Sequence, residues 1–121
     1  MAPTAIQNLA TAVRHDIDVG LTPVEIATAG VTLFGMRIDG SDEEDDFQLK
    51  MYHVASAPSV GSALPNSAIP VEAGSVMDFV ANGGDGIAIP TGLFIAIAKE
   101  YGTAGATPPD NDVKVTVWTS A

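Results

Sequence analysis

The stretch whose reading decides the fold is Phe47 to Gly74, FQLKMYHVASAPSVGSALPNSAIPVEAG. It opens with Phe47, Leu49 and Met51 alternating with Gln48, Lys50 and Tyr52, the period of two that lays one side of a strand on a core. A crossing from Ser56 to Ser67 follows, dense in Ser, Pro, Gly and Asn, residues that build turns and end ladders. The chain then re-enters a short apolar segment, Ala68 to Val71, and stops at Gly74. Strand, turn-rich crossing, strand is the pattern of an all-β domain, and nothing in it is catalytic.

The same pattern extends in both directions. Upstream, Val24 to Thr28 and Val31 to Asp39 read as strands, with Phe34, Met36 and Ile38 on one face and a bulge or close backbone approach expected at Gly35. Downstream, Ser75 to Val80, Gly86 to Ile89, Leu93 to Lys99 and Val113 to Thr119 are strands. Asn82 to Gly86 forms a turn that favours positive φ. Val113, Val115 and Val117 alternate with Lys114, Thr116 and Trp118 in the cleanest strand of the chain. The segment from Tyr101 to Asp112 is long for a hairpin and has the composition of a contact loop. Short strands at regular spacing, with almost no helical period after residue 22, predict an antiparallel β-sandwich of the Greek-key or jelly-roll kind, with a barrel as the alternative.

Residues 1–22 read as an N-terminal arm, extended or with a short helix on Ile6, Leu9, Ala10 and Val13, and residues 23–121 as the sandwich. A first strand around Ile17 to Val19 is the competing reading of the arm. The run GSDEEDD, from Gly40 to Asp46, lacks the alternate acids and distant Glu of a calcium hand, so a solvated, self-repelling hairpin tip is expected there.

Composition narrows the function classes. Fifteen acids against five Lys and Arg give a formal charge of −10, which repels nucleic acid and anionic membranes and argues against both as partners. One domain of 121 residues buries roughly two-thirds of its unfolded surface, here with a mostly aliphatic core. Cysteine is absent, so thiolate chemistry and disulfides are excluded. No run approaches the ~18 apolar residues of a membrane helix. The N-terminus lacks a basic start followed by an apolar core, which points to synthesis in the cytoplasm without export.

No catalytic constellation is legible. His15 and His53 are far apart in the chain, no Ser lies in a Gly-x-Ser-x-Gly elbow, and Asp78 is a lone acid on an apolar-reading strand. The expectation is therefore a non-enzymatic protein without metal or cofactor. Trp118, Tyr52 and Tyr101 are the candidates for a sugar-stacking platform; Leu93, Phe94 and Trp118 are candidates for subunit contact.

Tyr52, Ala55-Ser56-Ala57-Pro58, Val60-Gly61, Pro65, Ile69-Pro70 and Ala73-Gly74, followed by Gly86-Ile87 and Gly92-Leu93, occur in an order that resembles small structural proteins of tailed bacteriophages. The upstream segment AGVTLFGMRIDG, residues 29–40, is similar to a strand of the same group. The resemblance spans about residues 24–119 and implies a capsid decoration (cement) protein on the outer capsid surface of a virion, made in the host cytoplasm. Its implied partners are the major capsid protein and further copies of itself, commonly as a trimer. On that reading Ile6, Leu9, Val13 and Arg14 of the arm anchor the protein to the shell. The alternatives are a neck, tail or head-fibre subunit, or a carbohydrate-binding adhesion module that takes a host glycan.

Overall fold

A computed structural model describes residues 12–100 and 105–120. Nine strands follow in chain order: β1 Val13–Val19, β2 Val24–Ala27, β3 Val31–Asp39, β4 Phe47–Tyr52, β5 Ser67–Val71, β6 Val76–Val80, β7 Ile87–Ile89, β8 Leu93–Ala98 and β9 Val113–Thr119. They form two antiparallel sheets: β1-β9-β3-β6, with β7 continuing β6 along the same side of β3, and β2-β8-β4-β5. No described strand of one sheet pairs with a strand of the other, so the molecule is a sandwich and the barrel is excluded.

The pairing is nested. The first strand pairs with the last, β2 with β8, β3 with β6 and β7, and β4 with β5, as if one long hairpin had been folded over itself. That is the jelly-roll arrangement.

The alternation that predicts the strands also builds the core. Val113, Val115 and Val117 of β9 face Leu33, Met36 and Ile38 of β3 and, from the second sheet, Leu49, Ile95 and Ile97, all buried. The expected irregularity at Gly35 is present: the register of β3 against β9 slips between Leu33 and Gly35, so Phe34 is the extra residue. The slip explains how Leu33 and Met36, three apart, both face inward, and it takes Phe34 off the face it was expected to share with Met36 and Ile38. The glycine turn behaves as its composition requires, with positive φ at Asn82, Gly83, Gly84 and Gly86 around a short 3-10 turn.

Two sequence expectations change. Val13 to Val19 is a strand of the sandwich, not an arm: it pairs along its whole length with β9, and Val19 is fully buried. The physical reason is a weak period-two signal, Ile17 and Val19 inward against Asp16 and Asp18 outward, that also fits a polar extended arm. The boundary at residue 22 therefore falls inside the domain, and residues 1–11, with Ile6 and Leu9, lie outside the described residues.

The second change concerns β4, which is buried on both faces. Phe47, Leu49 and Met51 enter the core, whereas Gln48, Lys50 and Tyr52 lie on the outer face of their sheet under loops. Tyr52, Phe94 and Ala96 are covered by Val54, Val60 and Ala63 of the turn-rich crossing. Gly92 lets that crossing approach: its φ is +144°, and a Cβ there would stand 2.5 Å from the Val54 carbonyl oxygen.

Removing residues 1–20 deletes β1 and strips one side of β9. Burial of Val19 alone is worth about 1.5–3 kcal/mol, against a typical total of ~5–15 kcal/mol for a domain. The truncated chain should lose cooperative unfolding or melt far lower, while a chain lacking only residues 1–11 should unfold like the full protein; calorimetry of the two decides it.

Candidate interaction surface

The nested strands sort the loops to two ends. Loops 20–23, 40–46 and 72–75 with residues 99–100 and 105–112 gather at one end; loops 28–30 and 53–66 with the turn 90–92 gather at the other, where β1 starts and β9 finishes, and the 81–86 turn projects from the sheet edge between β6 and β7. The charges divide with them. The acidic run 42–46 together with Glu72, Glu100, Asp110 and Asp112 puts nine of the fifteen acids at the first end, whereas the loops of the second carry no Asp, Glu, Lys or Arg, and the edge turn beside them carries Asp85.

Of the four large apolar side chains that meet water among the described residues, three lie at or beside the uncharged end, and the fourth, Val76, 44% exposed, opens β6 next to the acidic loops. Leu64 is 75% exposed, Ile87 41% and Val13 40%. Val13, Thr119, Leu33 and Ile87 form one register row across the first sheet. Thr119 and Leu33 are buried, but the two outer members of the row are not, so the core is open to solvent at both flanks of this end.

At the acidic end the run 42–46 is not a free solvated tip. It is clasped to the 105–112 segment. Glu43 is buried, its carboxylate accepting the backbone N–H of Asp110 at 3.1 Å and of Asn111 at 3.3 Å. Asn111 Nδ2 donates to the Asp42 carbonyl at 3.2 Å, and the Glu44 N–H donates to Asp110 Oδ2 at 3.3 Å. Lys99 Nζ bridges the two segments, 2.7 Å from Asp110 and 2.8 Å from Asp45. Unmatched in sequence, the acids find backbone donors and one lysine in space. Hydrogen bonding to Asp110 and then Asp45 raises the Lys99 pKa, and the same contact lowers that of Asp110. Beneath the loop, the fully buried Lys50 donates from Nζ to the Gly105 carbonyl at 2.7 Å; burial lowers its pKa, partly offset by Glu100.

A third region is the outer face of the first sheet. Arg14 lies over the half-buried Trp118 ring, 5.9 Å from its centroid, and its Nε is 3.0 Å from Asp16. Thr116 Oγ1 donates to Asp16 at 2.9 Å, and Arg37 faces Asp78 at 3.9 Å. A groove of about 360 Å³ runs beside them, bordered by Asp16, Arg37, Asp39, Lys114 and Thr116. Three of the five cationic residues, Arg14, Arg37 and Lys114, are on this face.

The candidate residues separate accordingly. Val13 and Arg14 are exposed at the start of β1, and Trp118 lies on the outer face of β9. Leu93 and Phe94 are not exposed anchors. β8 is an inner strand, Leu93 is fully buried in the core, and the crossing loop covers Phe94. Tyr52 is buried on the opposite sheet from Trp118 and Tyr101 lies outside the described residues, so the three-ring sugar platform is not assembled among described residues. His15 Nε2 is engaged with Thr119 Oγ1 at 3.0 Å. Among the described residues no group of three His, Asp or Glu is arranged to hold a metal ion. Leu64 was missed because it sits among turn residues and reads as filler, and Ile87 because it reads as an ordinary strand residue; nothing local marks either as exposed.

None of the family models, curated proteins or solved structures compared with this chain matches it.

The clasp has a pH signature. Because the Asp110 carboxyl is held below its ordinary value of 3.8, its contribution is complete above that pH and is lost as pH falls through the depressed pKa. The Lys99 contribution is complete below its ordinary value of 10.5 and disappears only at still higher pH. Amide exchange at Glu44, Asp110 and Asn111 should therefore be slow relative to unstructured chain at neutral pH, and should lose protection below about pH 4 before the strands do. Lys99→Met should reproduce the loss at neutral pH.

Proposed function

We propose that this is a non-enzymatic virion structural protein, a capsid decoration protein that docks its uncharged end on the outer face of the major capsid protein and leaves its acidic end in solvent. The observation that carries the reading is the division of charge between the two ends, together with the exposed Val13, Leu64 and Ile87 at the neutral one. β1 starts at that same end, which fits the anchoring role that the resemblance implies for Ile6 and Leu9. The bacteriophage resemblance of residues 24–119 supports the same assignment, and jelly rolls are common in capsid proteins. Fold alone does not establish a job. The charge division adds an orientation: a negative far end keeps many copies soluble and mutually repelling until docked.

Each apolar side chain fully buried on docking contributes about 1.5–3 kcal/mol before ordering costs. Leu64→Asp, in the exposed crossing, and Ile87→Asp, at the open flank of the core, should each weaken shell binding by about tenfold or more, with the melting temperature of each variant measured beside it to separate lost contact from lost fold. Co-sedimentation of purified protein with shells that lack it measures this. Saturation in fixed proportion to the major capsid protein, lost in the double variant, supports decoration; saturation at a few copies per shell indicates a neck, tail or vertex position, and undiminished binding by the double variant removes the neutral end from the interface. The same preparation read by light scattering tests the trimer that the resemblance implies.

The Arg14–Trp118 pair beside the groove favours one second reading, glycan binding on the outer face of the first sheet. Trp118 is the sole tryptophan, so host polysaccharide that stacks on its ring while entering the groove should change its fluorescence, and an unchanged spectrum at saturating polysaccharide would exclude stacking there.

A further inference from the structure

We propose that the acidic end carries a socket for a guanidinium side chain, an arginine of a basic partner segment, between Asp46, Glu72 and the side-chain amide of Gln48. The inference is independent of which end meets a shell. It begins from Gln48, which is only 3% exposed and whose Oε1 has no hydrogen-bond partner among the described residues. Its neighbours explain why: Gln48 pairs with Pro70 on one side and Ala98 on the other, and neither side chain has a donor. A buried amide oxygen without a donor is costly, and an apolar residue would fill the position at no such cost.

Gln48 lines a depression of about 290 Å³ at the edge of the second sheet, with Phe47, Pro70 and Val71 as apolar wall and Asp46, Glu72 and Lys99 as its charged residues. Lys99 is already matched by Asp45 and Asp110. Asp46 accepts the Ala73 N–H at 2.9 Å through Oδ1 but has no cationic partner among the described residues, and the exposed Glu72 side chain has neither hydrogen bond nor ion pair there. The depression therefore offers two carboxylates without a cation and an amide acceptor whose terminal torsion is soft enough to turn toward a ligand.

This donor-hungry geometry selects the occupant. A metal ion is disfavoured by the absence of three grouped ligands among the described residues. A guanidinium presents five N–H donors in a plane, is weakly hydrated, and carries a methylene stem that suits the Pro70 and Val71 wall. The surrounding concentration of acids steers a polycationic segment to this end and not to the uncharged one.

The test uses the full-length ¹⁵N-labelled protein and two short peptides, acetyl-Gly-Arg-Gly-amide and its citrulline counterpart, which has the same shape without the charge. The arginine peptide should move the Gln48 side-chain amide signals and the Phe47 and Val71 backbone amides saturably at low salt, and the citrulline peptide should not. Glu72→Gln should weaken binding about threefold, the scale of one exposed ion pair. Gln48→Leu should weaken it too while leaving the melting temperature equal or higher, which a purely structural glutamine would not do. Shifts spread evenly over all acidic loops without saturation, a stationary Gln48 side chain, or Gln48→Leu binding as tightly as the native protein would each overturn the proposal.

Discussion

A fully buried ammonium in the middle of β4 governs how this sandwich is closed. Lys50 lies on the outer face of its sheet, where the alternation of the strand puts it, yet it is sealed from water. An unsolvated cation must be given acceptors, and the Gly105 carbonyl at the start of the 105–112 segment is one of them. Once that segment lies across the sheet, Asp110 and Asn111 come against the acidic run, and Glu43 finds two backbone donors instead of water. The clasp follows from covering a lysine.

That closure also decides where charge collects. With Lys50 buried and Lys99 used inside the clasp, the acidic end keeps most of its negative charge, while the turn-rich crossing at the opposite end has almost none to offer. Segregation of this kind is not needed for stability. Like charges at one end repel, and apolar residues such as Leu64 in water give nothing back, so the arrangement is a cost in the isolated monomer that contact with another surface would offset.

The legible part of the sequence was the part with strong local periodicity. β9 declares itself by three alternating valines, β3 by its apolar run with Gly35 at the bulge, and the 82–86 turn by its glycines. What was not legible depends on residues far apart in the chain. The weak alternation of β1 becomes a strand only because β9, about a hundred residues away, offers an edge. Phe94 and Tyr52 read as outward-facing because nothing local announces that the crossing loop will cover them. The acidic run reads as solvated because its partners, Lys99 and the amides of Asp110 and Asn111, are more than fifty positions downstream. The same logic hid the candidate surface: Val13, Leu64 and Ile87 lie in three separate segments, and only the nested topology brings those segments to one end.

A jelly roll separates its loop ends by the length of its strands, and the two sheets between them share one packed core. Substitutions at Leu64 or Ile87 therefore have no direct contact through which to disturb Gln48 or Glu72, and the outer groove beside Trp118 lies on a different sheet from both the Gln48 depression and the crossing loop. Distant sites without shared partners act additively. A lesion that abolishes one contact while sparing the others consequently identifies a surface, whereas a lesion that abolishes all of them identifies damage to the common core. That separability lets each proposed contact be tested by itself, because the neutral end, the outer groove and the Gln48 depression lie on different sides of one packed sandwich.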